Sequence, residues 1–178
     1  MSEETEYTKW SSLLTGSNPF GRNFAIDEEH YGITRDENNK VVRSKDPRAD
    51  KITRIKEDFG FADLADVFLF AMCIGKDVDS PRKKLKKAYP NITTKALTID
   101  EHWLIIATCI DDLIAEKKKD NPEIEIDLVD IFEDDKNIAI IKRIAQEYAS
   151  IGMNHLHFAL YDDRGWKKYS EQIVKDNE

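Results

Sequence analysis

The stretch "FADLADVFLFAMCIGKDVDSPRKKLKK", Phe61–Lys87, passes from an apolar block carrying two aspartates into a block dominated by lysine and arginine. It admits three readings: a membrane anchor with a basic flank, a nucleic-acid contact, or a buried helix followed by a solvated one. Its longest apolar run, "VFLFAMCI", Val67–Ile74, is far short of the roughly 20 residues that cross a bilayer, which removes the anchor. Phe61, Leu64, Ala65, Phe68, Leu69 and Met72 mark one helical face and Val67, Phe70 and Ile74 cover the others; a helix apolar all round is a buried one. Asp63 and Asp66 suit its amino end, where carboxylates meet the positive end of the macrodipole, and Gly75 with Lys76 suits its carboxyl end. Ser80 as a cap and Pro81 at a first helical position then predict a second, short helix. Leu85, Ala88 and Tyr89 would form its buried edge, with Arg82, Lys83, Lys84, Lys86 and Lys87 over the remaining surface.

Toward the amino end, Ile52 and Ile55 stand three apart before Phe59, and Gly60 breaks the segment, so a helix is expected from Pro47 onward. Residues 1–46 hold turn chemistry such as "TGSNPFG" and "RDENN" and read as irregular, except that Ile33 and Thr34 suit pairing with Val41 and Val42 in a small hairpin.

Toward the carboxyl end, Thr98 and Glu101 form a capping box ahead of Ile99, Trp103, Ile106, Ile110 and Leu113, and "AEKKKDNP" ends that helix at Pro122. Residues 120–135 carry eight acidic side chains and no basic one, with either a short strand at "EIEID" or a helix over residues 127–132. A long helix follows from Asp135 to about Leu160, striped by Ile138, Ile141, Ala145, Tyr148 and Leu156; Trp166, Tyr169 and Ile173 suggest a terminal helix that docks back. The expected architecture is one mainly α domain, 1–178, of five to seven helices, with an irregular segment at 1–46 and a helical core at 47–178.

Charged residues make up 35% and hydrophobic ones 40%, a globular balance. A net charge of −8 argues against generic attraction to a phosphate backbone. Cys73 and Cys109 lie in apolar runs without a CxxC pair and read as core thiols in a reducing cytosol, and "MSEETEYTKW" lacks the pattern of a signal peptide. The expected location is therefore cytoplasmic.

No nucleophile elbow, phosphate loop or dinucleotide turn is present. His30, His102, His155 and His157 read as surface histidines; the "HLH" pair is two apart, so the rings point to different helical faces. The acidic residues Asp127, Asp130, Glu133, Asp134 and Asp135 lack the calcium-loop pattern and read as a solvated edge or a partner-binding face. No metal, no cofactor and no catalytic residue is expected. "CIDDLIAEKKK" sets Asp112 and Glu116 four apart beside Asp111, the one motif for a metal-dependent nuclease, although it lies at the end of a lysine-rich helix. Two basic clusters remain, and from them Arg48, Lys51, Arg54, Arg82, Lys83, Lys84, Lys86 and Lys87 are the candidate contacts for nucleic acid or a partner.

Taken in order, "FADLADVFLFAMCIGKDVDSPRKK" and "IAQEYASIGMNHL", Ile144–Leu156, resemble segments of the DNA phosphorothioation-associated protein 4 family, small proteins of bacterial dnd-type clusters. The matching positions are Phe61, Asp66, Phe68, Ala71 and Gly75, then Glu147, Tyr148, Ala149, Gly152 and Leu156; Ser150 and Ile151 replace a more usual asparagine and glycine. The likeness spans about residues 52–160 and implies an accessory role in DNA modification or anti-phage defence, without an assigned catalytic residue. Its implied partners are other proteins of that system and DNA, or a second copy of the chain, and no membrane. A metal-dependent nuclease subunit and a dimeric scaffold without a nucleic-acid role are the alternatives.

Overall fold

The computed structural model describes residues 19–78, 80–94, 97–125 and 134–161. In chain order these form strand β1 (Asn23–Asp27), a 3-10 turn (Glu28–Tyr31), strands β2 (Ile33–Arg35) and β3 (Val41–Arg43), and a second 3-10 turn (Pro47–Ala49). Helices α1 (Lys51–Phe59) and α2 (Leu64–Asp77), strand β4 (Ala88–Thr93), and helices α3 (Ile99–Asp120) and α4 (Asp135–Tyr161) follow. Strand β1 pairs with β4 and β2 with β3. The described architecture is thus mixed α/β, four helices with two small antiparallel sheets, and not a mainly α domain of five to seven helices.

Two stretches account for the difference. Within the supposedly irregular segment, "NFAID" is a strand whose Phe24 and Ile26 are 1% and 0% exposed. The hairpin is present with Thr34 opposite Val42, Ile33 opposite Arg43 and Arg35 opposite Val41. Its turn is held by Asp36 Oδ1, which accepts from the backbone N–H groups of Asn38 (2.9 Å) and Lys40 (2.8 Å).

The second stretch is the basic one. No helix starts at Ser80 and Pro81; the chain is extended there and becomes β4 at Ala88. A helix would have stacked Arg82 on Lys86 and Lys83 on Lys87, like charges one turn apart, which cost helical stability. The β-formers Tyr89, Ile92 and Thr93 instead support a strand, and Ile92 is fully buried there.

Helix boundaries elsewhere follow local chemistry. Asp50 caps α1 by accepting from Thr53 N–H at 3.1 Å, and Gly60, at φ 68°, ends it in the left-handed region that glycine tolerates. Asp63 with Asp66, and Thr98 with Glu101, form the capping boxes of α2 and α3. Gly75 does not end α2, which continues to Asp77. A Cβ at Gly75 would overlap the Tyr148 carbonyl, and one at Gly152 the Ala71 carbonyl, so the two glycines let the backbones of α2 and α4 touch.

The chain divides into two compact units, one drawn from residues up to Ala25 with Pro90–Gln146, the other from Ile26–Tyr89 with residues from Glu147 onward. In the first, Phe20, Phe24, Ile105, Ile106, Cys109 and Leu113 are buried; in the second, Ile52, Ile55, Val67, Phe68, Met72 and Met153 are buried. Cys73, expected in the core, is half-buried. No helix among the described residues is long and apolar enough to cross a membrane. The element expected over residues 127–132, its acidic Asp127, Asp130 and Glu133, and the terminal helix at Trp166, Tyr169 and Ile173 lie outside the described residues.

His102 is not a surface histidine. It is 5% exposed in α3 with its ring 5.7 Å from that of Phe20, and neither ring nitrogen has a hydrogen-bond partner among the described residues. Burial holds its pKa below the usual 6.5, so it folds as the neutral ring. The unfolded chain then binds more protons, and stability is lost as pH falls below about 6.5. His102→Phe keeps an aromatic ring and removes the orphaned polar atoms. Urea melts at pH 7.5 and pH 5 are expected to show a gain of about 1 kcal/mol at the higher pH and a larger gain at the lower one; an equal or smaller gain at low pH contradicts this.

Candidate functional site

Helix α4 is apolar on one side, but Glu147, Ser150, Asn154, His157 and Tyr161 recur at spacings of three and four and share one face. Four of the five reach groups that come from earlier in the chain. Glu147, 3% exposed, accepts from Arg82 at 3.0 Å. Ser150 lies 3.0 Å from His30 Nε2 and donates to Asp27 Oδ2 at 3.1 Å. Asn154 Oδ1 accepts from Lys51 at 3.3 Å, and the Tyr161 hydroxyl donates to Asp58 at 2.6 Å beneath the Arg54 guanidinium, 3.5 Å from the ring centre.

Serine, histidine and aspartate meet in this row without forming a nucleophilic triad. A hydroxyl has one proton, and here it goes to the Asp27 carboxylate, so His30 Nε2–H must donate to the serine oxygen rather than withdraw its proton. Ser150 is also 5% exposed, out of reach of a substrate. His30 is fully buried in the 3-10 turn, again contrary to a surface role, and burial, reinforced by the Lys51 charge and opposed by Asp27, lowers its pKa to about 4. It is neutral at pH 7.

The eight candidate basic residues all belong to the second unit, but they differ in what they are available to do. Arg82, Lys51 and Arg54 are engaged by the α4 face as described. Arg48 lines a depression with Arg43 and Arg54, opposed there by Asp46, Asp50 and Glu57. Lys86 and Lys87 line another with Arg35, opposed by Asp27, Glu28 and Glu29; Lys87 and Arg35 both approach Glu28, at 3.7 and 3.0 Å. Each depression balances three cations with three carboxylates. Lys83, Lys84 and Lys86 are exposed and in no ion pair among the described residues.

An apolar cavity of about 330 Å³ opens in the same unit between Phe59, Phe61, Phe70, Ile74, Leu156 and Leu160. Phe59, at the end of α1, is 55% exposed, and Phe70 is 43% exposed, so α2 is not buried all round. The groove ends at Asp77 and Val78, five residues ahead of Lys83.

The nuclease-motif carboxylates Asp111, Asp112 and Glu116 share α3 but do not form a close group of three potential ligands among the described residues. Glu116 is ion-paired with Arg143, and Asp111 is exposed. Among the described residues one group of three potential metal ligands lies close together, Asp27, Glu29 and His30, with ligand atoms within 4.8 Å of one another. No spacing pattern in the sequence announces it, because its members cluster through the fold of the 3-10 turn. The polar face of α4 was legible in principle, as polar residues at three-four spacing in an apolar helix. No protein-family model, curated protein or solved structure matches this chain.

Proposed function

We propose that this chain is a non-catalytic accessory protein of a bacterial DNA-modification or defence system of the phosphorothioation type, and that it acts by docking a partner protein. The family likeness motivates the setting. The observation that carries the docking mode is the apolar groove with two half-exposed phenylalanines, continued within a few residues by the unpaired Lys83, Lys84 and Lys86. Exposed aromatic anchors and exposed cations in one unit suit a partner that offers both apolar side chains and carboxylates. The balance of charge around the other basic residues and the net −8 favour a protein over a phosphate backbone.

The test reverses the three free cations, Lys83→Glu, Lys84→Glu and Lys86→Glu together, and leaves Arg82 in place because it neutralises buried Glu147. Affinity for each protein encoded beside this one is expected to fall about tenfold or more, with folding unchanged. Unaltered affinity for every one of them removes the proposed surface. Direct DNA binding is the second reading, supported by the same lysines; it requires duplex binding that weakens steeply with salt and is lost in the triple variant.

A further inference from the structure

We propose that Asp27, Glu29 and His30 form a binding site for a first-row divalent cation, Mn²⁺ or Zn²⁺, at the end of β1. One oxygen of each carboxylate and one ring nitrogen of His30 lie within 4.8 Å of one another. A bound cation at metal–ligand distances of about 2.1 Å needs ligand separations of roughly 3.4 Å, so the three atoms must close by about an ångström or more. Glu29, exposed on the 3-10 turn, has the freedom to do so.

Two further observations point to a cation. The hydrogen bonds around Ser150 place the imidazole proton on Nε2, which leaves Nδ1 as a lone pair. That Nδ1 is buried and has no hydrogen-bond partner among the described residues, on a side chain 0% exposed. An imidazole held by a donor bond from one nitrogen with the other left open is the usual arrangement of a metal-binding histidine. Secondly, Asp27 is 9% exposed, yet among the described residues neither it nor Glu29 takes part in an ion pair, whereas the adjacent Glu28 takes two. A nearly buried carboxylate outside any direct ion pair keeps its charge available to a cation.

Asp27 is already held in place for ligation, since its Oδ1 accepts from Lys87 N–H at 2.9 Å and its Oδ2 from Ser150. Asp27 and Glu29 line a common depression, which leaves the Glu29 carboxylate open to solvent. One imidazole and two carboxylates suit manganese or zinc better than the all-oxygen cations.

The experiment titrates chelator-treated protein with MnCl₂ and, separately, ZnCl₂ by calorimetry, and follows Mn²⁺ by broadening of the histidine ring resonances. One equivalent of at least one cation is expected to bind, with His30 broadened before His102, His155 and His157. Glu29→Gln, an exposed change that spares the fold, is expected to weaken binding about tenfold or more. Binding by neither cation, binding unaffected by Glu29→Gln, or broadening centred on another histidine overturns the site.

Discussion

Gly152→Ala is expected to cost about 3 kcal/mol of stability, or to prevent folding altogether. Alanine is the better helix former by roughly 0.5–1 kcal/mol, so a surface glycine in α4 would gain from the change. Here the new Cβ runs into the Ala71 carbonyl of α2, and backbone cannot swing aside as a side chain can. Gly75→Ala meets the Tyr148 carbonyl from the other direction and is expected to cost a similar amount. Gly60→Ala is the control. A Cβ there meets nothing within 4 Å, and only its φ of 68° is unfavourable, for roughly 1–2 kcal/mol. Urea melts of the three variants check the order; a loss at Gly152 or Gly75 no larger than that at Gly60 contradicts the helix contact.

Arg82→Ala is expected to be the second large loss, about 3 kcal/mol. The Glu147 side chain is 4% exposed and that of Arg82 19%, with 3.0 Å between the charged atoms. Removing the guanidinium takes the Arg82 charge from a carboxylate in the interior, and also takes the positive charge from above the Tyr148 ring, 5.8 Å away. If unpaired charge is the cause, Glu147→Gln in the Arg82→Ala background should recover most of the loss, since a neutral amide is cheaper to bury. Equal stability of the single and double variants, or a loss from Arg82→Ala within about 0.5 kcal/mol of zero, contradicts that cause. Were Arg82 simply a contact residue on a solvated helix, the substitution would do almost nothing to stability.

These two effects mark how far the sequence could be read. Helix starts were legible because caps are local: Asp63 with Asp66 and Thr98 with Glu101 carry their own partners three residues away. Gly75 read as a terminator, because whether a glycine ends a helix or admits a neighbour depends on chain far away in sequence. The basic stretch misled for the same reason. Ser80 and Pro81 form a sound helix start in isolation, yet Ile92 finds burial in a strand and Arg82 finds Glu147. Burial of His30 and His102 was equally hidden, since a lone polar residue beside apolar ones has no period to betray it. Of the candidate contacts, Arg48, Lys83, Lys84 and Lys86 remain open to solvent and outside any ion pair among the described residues, while Lys51, Arg54, Arg82 and Lys87 proved to be tied to the fold.

The most direct test of the docking surface is lysine footprinting of the full chain, alone and with each protein encoded beside it. Acetylation of Lys83, Lys84 and Lys86 should slow in the presence of the true partner while the exposed Lys118 and Lys119 of α3 react as before. Equal protection of both sets, or protection of Lys118 and Lys119 alone, would show that the partner docks elsewhere.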